Sequence, residues 1–282
     1  MHENLLMKFN KKEVERLLSD ALREDIGTGD ITTNILIHKQ DQAKAKIILH
    51  ENATICGVYL LKKVFQTVSH KCKIHIKIHD GKEGKKGNII ASIQGPAQAI
   101  LSGERVALNI IQHLSGISTL ARSFIKKIKG TKTKILDTRK TKPGLRAIEK
   151  YATLVGGAKN HRMGLYDHVL VKDNHIKMLG GVKTTLQKLN KNKVRDFIIE
   201  CGNITQLEQA LANGAKYILL DNMSLKSLKN AVKINSGRAM LEASGNINLN
   251  NIKKIANTGV NFISVGTITH SAKSIDISLK VE

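Results

Sequence analysis

From residue 134 onward the chain alternates short apolar runs with stretches of helical spacing, and no other feature of its 282 residues constrains the fold as tightly. The runs at 134–137, 168–171, 196–201, 217–220, 239–242 and 262–265 read as strands. Helices are expected at 146–154, 184–189, 205–212, 225–234 and 249–256. Apolar strands joined through helices make a parallel sheet covered on both faces. Such a sheet is either open and doubly wound or rolled into a (β/α) barrel, and the ends of the runs favour one of these. Arg139 and Lys140 follow the first run, Lys172-Asp173-Asn174 the second, and Glu200 closes the third. Asp221-Asn222 end the fourth, Glu242 to Asn246 the fifth, and Gly266-Thr267 the sixth. A barrel gathers all such ends on one face, where barrel enzymes keep their active sites. The expected fold is α/β, an incomplete (β/α) barrel of about six to seven strands.

The preceding region follows a different pattern. Val14, Leu17, Leu18, Ala21 and Leu22 recur at helical spacing, so 11–23 reads as an amphipathic helix. Residues 24–33 read as a glycine-bearing acidic loop. Apolar residues alternate with Lys or His at 43–49 and 72–78, which suits strands with one wet face. A helix at 60–68 lies between them, Gly81, Gly84 and Gly87 punctuate turns, and a further strand is expected at 88–93. From Ala99 a long helix carries Ile100, Leu101, Val106, Leu108, Ile111 and Leu114, with a break or bend expected near Gly116. Together these predict a smaller N-terminal α+β sandwich domain over 1–115 and a barrel over 116–268. The tail, 269–282, is expected to pack back on the first domain.

Composition removes several function classes. No apolar run approaches the about 18 residues of a membrane span. Met1 to Lys12 lacks the apolar core of a signal peptide, so a cytoplasmic protein without membrane contact is expected. Cys56, Cys72 and Cys201 are far apart with no CxxC pair, which suits reduced structural thiols and not a zinc site. The net charge of +23 raises the question of nucleic acid. Its lysines, however, are spread along the chain, and with aromatics at 3% there is no basic-aromatic stacking platform. Specific nucleic-acid recognition is not expected, although nonspecific polyanion binding at low salt is.

The chemistry points to anions. In Asp137-Thr138-Arg139-Lys140-Thr141-Lys142-Pro143-Gly144 an Arg-Lys pair stands between a strand and a Pro-Gly turn that fixes its direction. His161-Arg162, in a glycine-flanked loop, and Lys172 add charge of the same sign. Arg grips carboxylate or phosphate with two parallel hydrogen bonds, and Lys acts as a point charge. Such a set suits a ligand with several negative charges, such as a dicarboxylate or a pyrophosphate. Ser244-Gly245-Asn246 and Gly266-Thr267 fall on late barrel loops, a common phosphate site. Glu200 and Asp221 are the acids placed deep in this cationic mouth, where they could hold a divalent metal or ribose hydroxyls.

These segments resemble the quinolinate phosphoribosyltransferases, also called nicotinate-nucleotide pyrophosphorylases (carboxylating). The resemblance runs nearly end to end. It takes in Glu24 to Asp30, Gly103 to Asn109, Gln112 to Ile117, Leu136 to Thr141, Gly156 to Gly164 and Lys172 to His175. It continues through Asp221 to Met223, Leu241 to Asn246 and Ile263 to Gly266. It implies a type II phosphoribosyltransferase that joins quinolinate to phosphoribosyl pyrophosphate with Mg²⁺. The products would be nicotinate mononucleotide, pyrophosphate and CO₂, in NAD biosynthesis.

By the same resemblance, Arg139, His161, Arg162 and Lys172 recognise quinolinate, and Thr138 is a further substrate-binding residue. Lys140 contacts phosphoribosyl pyrophosphate or the acceptor. Glu200 and Asp221 handle ribose hydroxyls and metal, so that Lys140, Glu200 and Asp221 form the catalytic set. Ser244, Gly245, Asn246, Gly266 and Thr267 cradle the 5′-phosphate, and Val265 is a further substrate-binding residue. Arg105 acts in the neighbouring subunit's site, which implies a homodimer or a hexamer built from it. The chain departs from the family pattern at Ile198 and Gly202, where acids are usual, and at Lys142, where a small polar residue is usual. The competing expectations are a molybdenum-transport-associated homologue with another anionic acceptor, and a basic nucleic-acid-binding protein.

Overall fold

The computed structural model describes residues 11–282, so most of the stretch screened for a signal sequence lies outside the described residues. The chain divides into two compact units. The first takes in residues up to Arg122, with Thr141–Gly157 and Ser271–Glu282, and the second is Ser123–Lys140 with Ala158–His270.

The second unit holds the βα repeat. Its strands are β6 (Lys134–Leu136), β7 (Val169–Val171), β8 (Phe197–Cys201), β9 (Tyr217–Asp221), β10 (Met240–Ser244) and β11 (Phe262–Ser264). All pair in parallel, in the order β6-β11-β10-β9-β8-β7. A doubly wound sheet reverses direction at a switch point. Here the order runs monotonically around the sheet, as in a barrel, with a seam between β6 and β7. The expected incomplete barrel of about six to seven strands is observed with six. Across the strands, Glu200, Leu219 and Glu242 lie in one row, and Leu170 pairs with Ile198 one row deeper. Leu170, Ile198 and Leu219, with Tyr217 against them, form an apolar cluster.

In the first unit β1 (Gln42–Leu49), β5 (Ile89–Pro96), β3 (Lys73–Ile76) and β12 (Ile277–Val281) form an antiparallel sheet in the order β12-β1-β5-β3, and the short β2 (Ala53–Thr54) pairs with β4 (Glu83–Gly84). Alternate residues of β1, Ala45, Ile47 and Leu49, are buried, while Lys44 and Lys46 stand on the wetter face. The helix Val58–Val68 buries Val58, Leu60, Leu61, Val64 and Phe65. Its N-cap, Gly57, has no side chain to cap with. The buried Asp80 does so from a distance, accepting from the Gly57 and Val58 N–H groups at 2.9 and 3.0 Å and from the Tyr151 hydroxyl at 2.5 Å.

Two local expectations are corrected. Residues 24–33 are not a single loop. The first helix runs Lys11–Ile26, and a second, Ile31–Leu36, starts after Asp30, whose carboxylate accepts from the Thr33 N–H at 2.9 Å. A strong cap outweighs the low helix propensity of Ile31, Thr32 and Thr33. The long helix, Ala97–Lys127, passes through Gly116 without interruption. That glycine is needed for contact: a Cβ there would lie 2.0 Å from the Lys273 carbonyl oxygen. Alanine ordinarily stabilises a helix interior relative to glycine. Gly116→Ala is expected to do the reverse, lowering stability by about 3 kcal/mol in chemical denaturation because backbone meets the new methyl.

Candidate active site

At the C-terminal ends of the barrel strands lies a cavity of about 840 Å³. Side chains alternate along each strand, so residues two apart share a face. The pairs Leu219 and Asp221, Glu242 and Ser244, and Ser264 and Gly266 all line the cavity accordingly. Four permanent cations, Arg139, Lys140, Arg162 and Lys172, face three carboxylates, Glu200, Asp221 and Glu242.

The cationic side is built at the seam. Asp137 at the end of β6 is wholly buried, and it braces the neighbouring loop. Its carboxylate accepts from the His161 N–H at 2.8 Å and from Asn160 Nδ2 at 2.6 Å. The loop also runs alongside β6, with a parallel bridge between Leu136 and Lys159. The Arg139-Lys140 turn is held through its backbone. The Lys140 N–H donates to Thr138 Oγ1 at 3.0 Å, and Thr269 Oγ1 donates to the Lys140 carbonyl at 2.8 Å. Arg162 Nη1 donates to the His168 carbonyl at 2.9 Å, which aims the guanidinium. Burial, with the charge of Arg139 beside it, holds the Arg162 guanidinium below its usual range, against the pull of Asp167. Two guanidiniums brought together with partial desolvation are stabilised when an anion binds between them.

His161 completes this side in a form that charge counting misses. Its Nδ1 accepts from the Arg162 N–H at 2.8 Å, so the ring carries its proton on Nε2. The expected cationic pair is thus one cation and one neutral donor.

Opposite lie the acids. Burial, then the charge of Asp221, pushes the Glu200 carboxyl above its usual range, while Lys172 pulls it down. The acids and the cations of the two sides are therefore interleaved at Lys172. Among the described residues no group of three or more His, Cys, Asp or Glu side chains could hold a metal by itself. Two mutually repelling carboxylates still fit Mg²⁺, which takes one or two carboxylates and completes its shell with phosphate and water.

The third part is a loop pair with left-handed backbone. Asn222, Gly245 and Asn246 have φ of 53°, 97° and 50°. The Asn222 N–H donates to the Ser244 carbonyl at 2.9 Å, tying the two strand ends together. A Cβ on Gly245 would lie 2.1 Å from Asn222 Oδ1, so only glycine lets the strands approach this closely. Nearby, the Thr267 hydroxyl is buried with no hydrogen-bond partner among the described residues.

Of the residues expected in the site, Thr138, Arg139, Lys140, His161, Arg162, Lys172, Glu200, Asp221, Ser244, Gly245, Asn246, Gly266 and Thr267 line this cavity. Val265 does not: it is buried, and its N–H donates to the Leu136 carbonyl at 2.9 Å. Arg105 is exposed on Ala97–Lys127 and is not among the lining residues. Sequence reading left out Glu242, Asn222, Leu170, Leu219, Ile247, Ser264 and His270. For Glu242 the signal was present, since it stands two residues before Ser244 on the same strand. Leu170 and Leu219 read only as core because the floor of the cavity is the core.

Known proteins are similar to this chain in both sequence and fold. The family description "Quinolinate phosphoribosyl transferase, C-terminal domain" matches residues 117–280, and the corresponding N-terminal domain matches 30–115. The probable nicotinate-nucleotide pyrophosphorylase (carboxylating) of Bacillus subtilis is 39% identical, covering 97% of this chain and 95% of its own. A quinolinate phosphoribosyltransferase (decarboxylating) of Nicotiana tabacum is also 39% identical, over 97% of this chain and 83% of its own. The crystal structure of nicotinate-nucleotide pyrophosphorylase from Ehrlichia chaffeensis superposes with a TM-score of 0.92 at 42% identity, covering 95% of this chain and 98% of the other. With both domains matched along almost the whole chain, the protein belongs to the quinolinate phosphoribosyl transferase family.

Proposed function

We propose that the chain joins quinolinate to phosphoribosyl pyrophosphate, giving nicotinate mononucleotide, pyrophosphate and CO₂ in NAD biosynthesis. The observation that carries this reading is the convergence of Arg139, Arg162 and the Nε2–H of His161 on one side of a cavity whose other side is acidic. A pyridine dicarboxylate satisfies the first side, and a ribose carrying phosphates satisfies the second. A monocarboxylate would leave a guanidinium unmatched, which is how such a site selects against it.

The pyridine nitrogen attacks the anomeric carbon while the bond to pyrophosphate breaks and its electron pair leaves with the oxygen. Positive charge developing on the ribose lies near Glu200 and Asp221, and Lys140 faces the departing phosphates. Mg²⁺ held by those two acids would neutralise pyrophosphate charge. The ring, now a pyridinium, can accept electrons. The C2–carboxylate bond breaks, CO₂ departs, and the pair left on C2 takes a proton. No covalent enzyme intermediate is required, so proximity and fixed electrostatics supply the rate.

The 5′-phosphate belongs on the loop pair at Ser244 to Asn246. Gly245→Ala is expected to raise KM for phosphoribosyl pyrophosphate by about tenfold or more with little change for quinolinate, since the methyl displaces Asn222 from the cradle. Steady-state kinetics with each substrate varied in turn checks this.

The working unit in this reading is a cytoplasmic homodimer with Arg105 completing the partner's site. Ile31, Ile35 and Leu36 are each at least 70% exposed, an apolar cluster of the kind that a second copy covers. Among the described residues no helix is long and apolar enough to cross a membrane. The deciding test is to incubate the protein with quinolinate, phosphoribosyl pyrophosphate and Mg²⁺. Release of CO₂ with appearance of nicotinate mononucleotide supports the activity, and absence of both overturns it.

A further inference from the structure

Basic residues that are scattered along the sequence are gathered by the fold. In the second unit the cavity takes the C-terminal ends of the strands, so the connections that lead into the strands lie at the opposite end of the barrel. Connections 128–133, 192–196, 213–216, 236–239 and 257–261 run from a helix into β6, β8, β9, β10 and β11. They carry Lys129, Lys132, Lys193, Arg195, Lys216 and Arg238, all exposed, against one carboxylate, Asp196. Over the whole chain 46 Lys and Arg meet 23 Asp and Glu, so the imbalance is sharpest here. The last turns of the helices Ala97–Lys127, Val182–Lys191, Leu225–Asn235 and Ile252–Ala256 add further lysines and no acid.

The sheet order sets these groups side by side. Because the strands run β6-β11-β10-β9-β8, the connections follow one another in an arc. At about 4.8 Å per strand the arc is about 20 Å long where the strands begin. Backbone contacts lock neighbours together. The Lys134 N–H donates to the Asn261 carbonyl at 3.0 Å, and the Met240 N–H to the Lys216 carbonyl at 2.9 Å. Lys253 Nζ donates to the Lys129 carbonyl at 2.9 Å, joining segments more than a hundred residues apart in sequence. Arg238 is held against the end of its helix, donating through Nη2 to the Ile234 carbonyl at 2.7 Å.

Lysines in a last helical turn are favoured by the helix dipole, which accounts for those alone. That effect fades beyond the turn, and Lys132, Arg195 and Lys216 stand four or five residues past their helix ends. Like charges held this close repel one another, and an anion laid across the arc relieves them. None of the five connections contains Phe, Tyr or Trp, the side chains on which single strands stack their bases. A duplex keeps its bases stacked within itself and presents about one phosphate charge per 1.7 Å. None of the exposed large apolar side chains lies in these connections, so a bilayer would offer only its sparser charge.

We propose that this end of the barrel docks double-stranded nucleic acid through its phosphates, without reading sequence. The surface lies away from the cavity and does not depend on the proposed activity. The test measures fluorescence anisotropy of a labelled duplex of arbitrary sequence with the full-length protein. Affinity should fall steeply with salt, with a log–log slope of about −4 to −6 if each connection cation meets one phosphate. The triple variant Lys132→Glu, Arg195→Glu, Lys216→Glu should lose about 100-fold in affinity and flatten that slope by about 3. The control Lys44→Glu, Lys73→Glu, Lys77→Glu makes the same change in net charge on the wet face of the first sheet. It should change affinity by no more than about threefold, because position and not total charge decides the contact. Should the reversed variant not fold by circular dichroism, alanine at the same three positions replaces it, with a smaller loss in the same direction. Equal losses in the two triple variants would overturn the proposal. So would a parent that leaves the duplex unbound at about 50 mM salt, or one that prefers a single strand or phosphatidylserine vesicles.

Discussion

Arg139→Ala is expected to fold like the parent and to lose about 10²- to 10³-fold in kcat/KM for quinolinate. The size follows from what the guanidinium does. It shares a partly desolvated space with Arg162, and a bidentate contact to a carboxylate is among the strongest hydrogen-bond arrangements available. Removing it leaves one substrate carboxylate in a partly desolvated site without its main partner. Folding should survive because the turn is held by Thr138 and Thr269 through backbone atoms of Lys140, which the truncation leaves in place. Lys172→Ala should behave similarly. Lys172 is exposed, and its N–H, which donates to His175 Nδ1 at 3.0 Å, is unaffected by truncation. Circular dichroism and thermal melts should match the parent while turnover collapses. Near-normal turnover in the purified variants would remove these residues from the site.

The second large effect appears on mixing. Arg105→Ala and Lys172→Ala proteins should each be nearly inactive, yet subunit exchange between them should restore about a quarter of parental activity. The fraction is set by symmetry. Random pairing makes half the dimers hybrid, and in each hybrid one site carries both defects while the other carries neither. Activity that stays at the level of the separate variants after exchange, with hybrids demonstrated by native mass spectrometry, would place Arg105 outside the shared chemistry.

What the sequence made legible, and what it hid, follows from the range of the interactions involved. The barrel was readable because short apolar runs and the helical period near 3.6 between them are local signals, and the strand-end polar residues came with them. The 24–33 segment misled because the Asp30 cap is one hydrogen bond weighed against three β-branched residues. Gly116 misled because its partner is Lys273, and glycine signals a helix break only when nothing distant is pressed against it. Asp137 reads as part of a charged motif. Its work as a brace for the 158–162 loop depends on a pairing that composition does not reveal. Glu242 was visible as a strand-end acid, but its approach to His161, at 3.6 Å on the cavity floor, spans 81 residues of sequence.

The place of β12 in the first sheet has a consequence for how this protein is made. That strand pairs with β1, from which it is separated by the entire barrel, so β1 leaves the ribosome long before its edge partner exists. At about 5–20 residues per second, the roughly 230 intervening residues leave this edge bare for about 10–45 s. Bare edges recruit other strands, and charged side chains are the usual protection. Lys44 and Lys46 sit along that edge, within a nascent chain of strong positive charge. Charge of this sign opposes edge-to-edge pairing between neighbouring chains until translation delivers β12.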